Sequence, residues 1–428
     1  MRIAIIGAGI IGVTTAYELA HDGHEVTVFE RRGTVAAETS FANAGLIAPG
    51  YVTPWAAPGM PAKVLRHLFS AHAPVRLHAR LDAAMLRWLM RWWRACNVSS
   101  YQANRPRMQR LALYSRERLH HLAQELKIDF ERAQGVLVLA RSQRELRALK
   151  PGLAMLAELG VNHGVIGGDA ARLIEPGLNP QMPLHAAVHL PDDEVGNCRL
   201  FAQVLKSEAQ QIGADFRFDT EVLAVQAGAK PQLTYREIVN GDDAPRPAQS
   251  ASFDAVVVCA ALGATALLRP LGLALALAPV YGYSITAPLR SIEAHPEFGP
   301  RAALMDERYK VAISRLGQRV RVAGSAEIGG APDAMNERAI ATLYKVLDDW
   351  FPGIVQPGHV QRWKGARPML PDGPPVLGAA GTPGVWLNVG HGSSGWALSC
   401  GSARVVADAI AGRAAAIDTE GLGIERLR

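Results

Sequence analysis

The chain has 428 residues, 49% of them hydrophobic and 20% charged, which excludes a disordered protein and is long enough for two or three domains with large cores. Its four cysteines, Cys96, Cys198, Cys259 and Cys400, form no CxxC or Cys/His pattern, which excludes a zinc or dithiol motif and fits a reducing compartment. The net charge of +6 is uneven: residues 61–120 hold twelve Lys or Arg against two acidic residues, whereas the rest holds 33 basic and 37 acidic, so an anionic partner is expected at that stretch.

At the N-terminus, "RIAIIG" reads as a short buried strand. The glycine turn "GAGIIG" follows, then an amphipathic helix from about Ile11 to His21, then the strand "HEVTVFE" ending at Glu30. Gly7, Gly9 and Gly12 stand in GxGxxG spacing, and strand, turn, helix, strand and acidic end together make a dinucleotide fingerprint. Gly7 allows the tight turn, Gly9 the close approach of a pyrophosphate, and Gly12 the packing of helix on strand. The helix N-terminus at Ile10 and Ile11 offers free N–H groups to phosphate. Glu30, followed by Arg31, can accept from ribose hydroxyls, and its charge disfavours a 2′-phosphate. These glycines explain the apolar N-terminus better than a signal peptide does, because no cleavage site follows. No apolar run approaches the ~20 residues of a membrane-spanning helix.

"ETSFANAG" comes next, and its small polar residues suit a loop around a flavin diphosphate. Ser40, Asn43, Ala44, Gly45 and Leu46 are the candidates there. In "MLRWLMRWWRACN", Arg87, Arg91 and Arg94 fall on one helical face, and Trp88 and Trp92 share the adjoining one. Such a helix suits the headgroup layer of a membrane, or else packs its tryptophans on the protein's own core. No nucleic-acid-binding motif accompanies the charge. "CRLFAQVLKSEAQQIGADFRFDTEVLAV" reads as helix and strand, and "NGDDAPRPAQSA" as an exposed hairpin tip. "FDAVVVCAALGA" is a buried strand entering a glycine turn at Gly263. "VYGYSIT", "YKVAIS" and "RVRVAGS" read as alternating strands.

"GARPMLPDGPPVLG" holds Arg367 on what reads as a proline-stiffened loop. A guanidinium so held can fix a carboxylate through two parallel N–H bonds, or pair with Asp372 and merely hold the loop. "LNVGHGSSGWALSCGSARVVADAI" is a strand, a glycine loop and a helix. Gly390, His391, Gly392, Ser393, Ser394 and Gly395 thus bring a second helix N-terminus to a cofactor, where it can stabilise a negative charge. Together these segments favour FAD over NAD. His391 has no metal-ligating companion at suitable spacing.

"ETSFANAGLIAPGYVTPWAAPG", "LPDDEVGNCRLF", "YGYSIT", "YKVAISR", "GARPMLPDGPPVLG" and "NVGHGSSGWALSCGS" carry a resemblance over nearly the whole chain, from Met1 to about Arg413. It resembles the FAD-dependent D-amino-acid dehydrogenases, within the glycine oxidase and D-amino-acid oxidase class of flavoproteins. The resemblance implies FAD and oxidation of a D-amino acid by hydride transfer from Cα to flavin N5. Hydrolysis then yields a 2-oxo acid and ammonia, and the electrons go to a quinone or respiratory carrier. It also implies that Arg367 clamps the substrate carboxylate, that the Tyr309 hydroxyl touches the same group, that Tyr283 lines the pocket, and that Val222 lies near the adenine. One departure is Tyr281, where the family usually carries a lysine. Neighbouring readings are an oxygen-using oxidase, a hydroxyproline-type imino acid dehydrogenase, and a cofactor-free binding protein on the same scaffold. The intact Gly7, Gly9, Gly12 and Glu30 argue against the last.

The expected architecture is α/β: a Rossmann-like FAD-binding domain from residues 1–60, 196–280 and 366–428. An inserted α+β substrate domain comes from 61–195 and 281–365, built on one antiparallel sheet and helical from 61 to about 127. The expected location is cytoplasmic, with peripheral contact at the inner face of the cell membrane.

Overall fold

The apolar run Ile3–Ile6 becomes the strand Arg2–Ile6 at the heart of a six-stranded sheet in the computed structural model, which describes residues 1–67, 70, 72–78, 81–239, 246–290, 298–356 and 358–427. The strand order is Val376–Ala379, Val385–Val389, Ala255–Val258, Arg2–Ile6, Glu25–Phe29, Asp215–Arg217. Every pair is parallel except the first. Parallel strands buried on both faces need no alternation, which is why these read as continuous apolar runs. The helices Ile10–His21, Cys198–Gln211 and Gly395–Ile410 pack on one face, sharing a core with the long helix Val98–Glu125. Within it Glu18, wholly buried, receives Arg118 at 2.6 Å and Arg404 at 2.8 Å, tying three helices together. A three-stranded sheet, Gln249–Ser252, Gln232–Glu237 and Thr220–Gln226, closes the other face.

A ten-stranded sheet stands beside this unit. Its main path runs Gln361–Met369, Ala278–Pro288, Arg319–Ile328, Val311–Leu316, Ala303–Asp306, Ala133–Ala140, Ala186–Val195, Leu46–Ile47. It is mostly antiparallel, as expected, but Ala303–Asp306 runs parallel to Ala133–Ala140, and Val75–Leu77 runs parallel to Arg319–Ile328. Alternation sorts its two faces. Tyr281, Ile313, Leu304 and Leu137 pack beneath the helix Glu337–Trp350, while Val280, Ala312, Met305 and Val138 face a cavity.

Several expectations need adjusting. The boundaries at 280/281 and 365/366 fall inside the strands Ala278–Pro288 and Gln361–Met369, and Leu46–Ile47 pairs with the large sheet although it lies within 1–60. The helical run from 61 is broken by the strand Val75–Leu77. Of the expected hairpin tip, residues 240–245 lie outside the described residues, and Gln249–Ser252 is a strand. Of the two readings of the tryptophan helix, packing of Trp88 and Trp92 on the protein's own core is the one that holds. They are 3% exposed, stack on each other and lie tilted against Trp55, and Trp88 donates to the Met369 carbonyl at 3.0 Å.

Candidate active site

A cavity of about 1210 Å³ lies between the two sheets, and every expected cofactor residue except Gly12 lines it. Gly7, Gly9, Ile10, Ile11, Glu30, Arg31, Ser40, Ala42 to Leu46, Val222, Gly263 and the loop Gly390–Gly395 all border it. Gly12 serves packing instead: a Cβ there would sit 1.8 Å from the Gly7 carbonyl oxygen. A Cβ on Gly7 would lie 2.8 Å from the Cys259 carbonyl oxygen, and Gly7 holds φ +101°. At Gly9 the nearest obstacle is Ser40 Oγ at 3.6 Å, so the backbone is open to the cavity.

Two helices, Ile10–His21 and Gly395–Ile410, start at this cavity; neither is capped by its own N-cap side chain, and at the first the Ser40 hydroxyl accepts from the Ile10 N–H at 3.1 Å. Uncapped N-termini present N–H donors and partial positive charge. The Glu30 carboxylate accepts from the Ala8 N–H at 2.7 Å and the Arg32 N–H at 2.9 Å, which hold it in place against a burial that raises its pKa. Each carboxylate oxygen keeps lone pairs for a further donor. The glycine turn, the two helix starts, the fixed carboxylate and the volume fit a flavin dinucleotide.

The proline-rich stretch is a strand as far as Met369, not a loop. Gln361–Met369 pairs antiparallel with Ala278–Pro288, and Arg367 is opposite Val280. Asp372 does not hold Arg367; its carboxylate takes Arg426 at 2.6 Å. The Arg367 guanidinium instead crosses Gly282, where a Cβ would meet Nη2 at 2.4 Å and Cζ at 2.6 Å. Its Nη1 donates to the Ser325 carbonyl at 3.0 Å. Ser325 holds φ +60° beside a bulge where the register between Ala278–Pro288 and Arg319–Ile328 shifts. Among the described residues no carboxylate pairs with Arg367, and burial alone lowers its pKa, to about 10. It is charged at neutral pH and lines the cavity. An enclosed cation without a counter-charge is costly unless an anion joins it.

The sequence reading missed Gly282, the residue that makes this geometry possible. The signal was present, because an isolated glycine inside a strand marks close approach. Its cross-strand partner Gly365 does the same for the Trp363 indole, which would meet a Cβ at 1.9 Å. Tyr309 does not line the cavity. It sits in the turn between Ala303–Asp306 and Val311–Leu316, outside the cavity wall, with its ring against Arg141, Lys345 and His72. Tyr283 borders the cavity, but its hydroxyl donates to the Glu327 carboxylate, and burial drives its pKa far up. Tyr281 points to the opposite face, where Lys364 Nζ lies 4.2 Å from its ring centre. A cation therefore stands beside position 281, supplied by the neighbouring strand. His391 is buried and shares a hydrogen bond with Ser402 at 3.0 Å; burial depresses its pKa to about 3, so it is neutral at physiological pH.

The FAD dependent oxidoreductase (DAO) family matches residues 2–409. The chain is 44% identical over 430 residues to a D-amino acid dehydrogenase of Cereibacter sphaeroides, covering all of this chain and 95% of the relative. It is 42% identical over 428 residues to a D-amino acid dehydrogenase of Rhizorhabdus wittichii, covering both chains in full. Among solved structures, glycine oxidase from Geobacillus kaustophilus superposes with a TM-score of 0.76 at 22% identity, over 99% of this chain and 98% of that one. L-proline dehydrogenase from P. horikoshii superposes at 0.71 and 18% identity, over 100% and 97%. The two structures share the fold.

Proposed function

This chain belongs to the FAD dependent oxidoreductase family, and from that premise we propose that it oxidises D-amino acids to 2-oxo acids and ammonia. The observation that carries the reading is the half-buried Arg367 guanidinium, without a carboxylate partner among the described residues and in the same cavity as the dinucleotide cradle. The full-length likeness to D-amino acid dehydrogenases supports the substrate class.

Arg367 receives the substrate carboxylate through its fork, which sets orientation as well as affinity. Gly282 lets the fork lie flat on the strand, and the Ser325 carbonyl stops it from turning. Met369, Trp363 and Tyr283 wall the space and limit water. FAD, when bound, supplies the two-electron acceptor. The substrate loses its Cα hydrogen and one N–H hydrogen with two electrons, and water then replaces the nitrogen to release ammonia. The neutral, hydrogen-bonded His391 is no acid near neutral pH, and Glu30 is engaged by backbone N–H groups. The chain's contribution is therefore alignment.

The electrons leave to a quinone or another respiratory carrier. The helix Ala83–Ala95 contacts an anionic membrane surface through a row that sequence reading did not pick out, Leu86, Met90 and Trp93, flanked by exposed Arg87, Arg91 and Arg94. Apolar residues beside cations suit the headgroup layer. Among the described residues no helix is long and apolar enough to cross a membrane.

The deciding experiment is anaerobic bleaching of the bound flavin by a panel of D- and L-amino acids. D-Amino acids bleach it; bleaching by L-amino acids alone would refute the assignment.

A further inference from the structure

Three successive carbonyls of the loop before Leu46 are held by the large sheet. Ser284 Oγ donates to the Ala42 carbonyl at 2.8 Å, Arg321 Nη1 to the Asn43 carbonyl at 3.1 Å, and Ser314 Oγ to the Ala44 carbonyl at 2.8 Å. The donors come from three neighbouring strands, Ala278–Pro288, Arg319–Ile328 and Val311–Leu316. A trans peptide points its N–H away from its C=O. With the carbonyls turned to the sheet, the N–H groups of Asn43 and Ala44 are turned from it. Both residues line the cavity, and among the described residues neither N–H has an acceptor. The next N–H, of Gly45, is taken by Asn43 Oδ1 at 3.0 Å. Backbone donors away from water normally find a partner, so this pair calls for an acceptor in the cavity.

Arg321 is the unusual member of the three. It is 5% exposed, and among the described residues no carboxylate pairs with it; Glu131, whose charge it feels, is taken by Arg319 at 2.7 Å. Its Nε donates to the Thr286 hydroxyl, opposite it on the next strand, at 2.9 Å. Burial, and after it Arg319, lower its pKa to about 10, so it is charged at neutral pH. A hydroxyl anchors the carbonyl on either side without the cost of burying a cation. What the guanidinium adds is charge, which polarises the Asn43–Ala44 peptide and strengthens its N–H as a donor.

The course of the loop shows which part of the cofactor meets that N–H. At one end Ser40 accepts from the Ile10 N–H at the glycine turn. At the other the loop is anchored on Ser284, two residues along the same strand from Gly282, which the Arg367 fork crosses. Two residues of strand span roughly 7 Å and return to the same face. The part of the cofactor beside a substrate held at Arg367 has to be the reacting ring; this placement rests on the Arg367 reading above.

We propose that Arg321 is a positioning residue for the flavin ring: through the Asn43 carbonyl it holds and polarises the peptide whose N–H, that of Ala44, donates to the ring, and its charge favours reduction. Electrons entering the ring bring negative charge, which a fixed donor backed by a cation stabilises.

The test uses the purified holoenzyme and an anaerobic dithionite titration against a reference dye, which reads the flavin midpoint potential without any amino acid. Arg321→Gln removes the charge and keeps an N–H donor, Arg321→Met is a second neutral variant should the first not fold, and Arg321→Lys keeps the charge. The neutral variants lower the equilibrium constant for reduction by about tenfold, a fall of about 30 mV for two electrons, while Arg321→Lys and Ser314→Ala stay within about threefold of wild type. An unmoved potential in a neutral variant that carries FAD overturns the proposal. Equal shifts in Arg321→Lys and Arg321→Gln overturn it as well, because shape and not charge would then be the cause. So does a loss of FAD affinity with the potential unmoved, which would leave Arg321 a scaffold residue only. Failure of D-amino acids to bleach the wild-type flavin would sink the reaction assignment instead, and the dithionite titration would still decide Arg321.

Discussion

Arg367 owes its position to the absence of a side chain at residue 282. The methyl group of Gly282→Ala would overlap the guanidinium, at 2.4 Å from Nη2, and the backbone beneath is held by the pairing of Gly282 with Gly365 on one edge and of its neighbours Tyr281 and Tyr283 on the other. The expected outcome is a loss of kcat/KM for D-amino acids close to that of Arg367→Ala, with FAD content unchanged by absorbance. For Arg367→Ala itself the loss is at least about a hundredfold, since both charge and aim go. Full activity in Gly282→Ala would show that the fork does not hold substrate. At this scale the sequence is uneven. Residue type and the surrounding motif single out Arg367. Whether Asp372 neutralises it is settled by Arg426, fifty-four residues beyond Asp372, which takes that carboxylate first.

Among the elements, the helix Ala83–Ala95 is the one whose faces local pattern leaves undecided. Its helical spacing is legible, and Asp82 caps it by accepting from the Met85 N–H at 2.7 Å. Two apolar rows compete to be the inward one, and periodicity cannot rank them. The large sheet does, because Val280 and Ile328 form a floor on which Trp88 and Trp92 lie. Trp88→Ala should destabilise the protein by about 3–5 kcal/mol in urea unfolding, through the cavity and the lost bond to Met369. Trp93→Ala, at a position 57% exposed, should change stability by less than about 0.5 kcal/mol. It should nevertheless weaken co-sedimentation with anionic vesicles; undiminished binding would remove this row as the membrane contact. The strand Gln361–Met369 shows the converse error. Its proline and glycine suggest a loop, but Pro368 lies one residue from the strand's end, and Gly365 and Gly282 are cross-strand partners that allow close approach.

The whole molecule decides the behaviour of Asp193. It lies in the strand Ala186–Val195 of the large sheet, accepts from the Gly50 N–H at 3.1 Å beside the cavity, and has Arg116 of the helix Val98–Glu125 3.9 Å away. Burial pushes its pKa from 3.8 to about 7, against the pull of the Gly50 N–H and Arg116. An acid raised on folding binds its proton more tightly in the native state, so unfolding releases that proton between about pH 4 and about pH 7. Its contribution to stability is therefore present at the acid end of that window and falls as pH rises through it. Asp193→Asn, which keeps an acceptor for Gly50, should gain stability relative to wild type between roughly pH 5 and pH 7.5. A pH-independent difference in urea midpoints would place the titration elsewhere.

Sequence alone determined the dinucleotide unit, because its parts are contiguous: strand, glycine turn, helix and Glu30 all lie within thirty residues, and local backbone geometry demands those residue types. It also determined the class of ligand group that Arg367 suits, since a guanidinium matches a carboxylate wherever it is placed. Tertiary structure alone decided which tyrosines stand near that guanidinium, which carboxylate is taken by Arg426, and which row of the tryptophan helix faces out. Each of these depends on contacts between residues far apart in the chain, and a residue's own type and spacing carry no record of what will be folded against it.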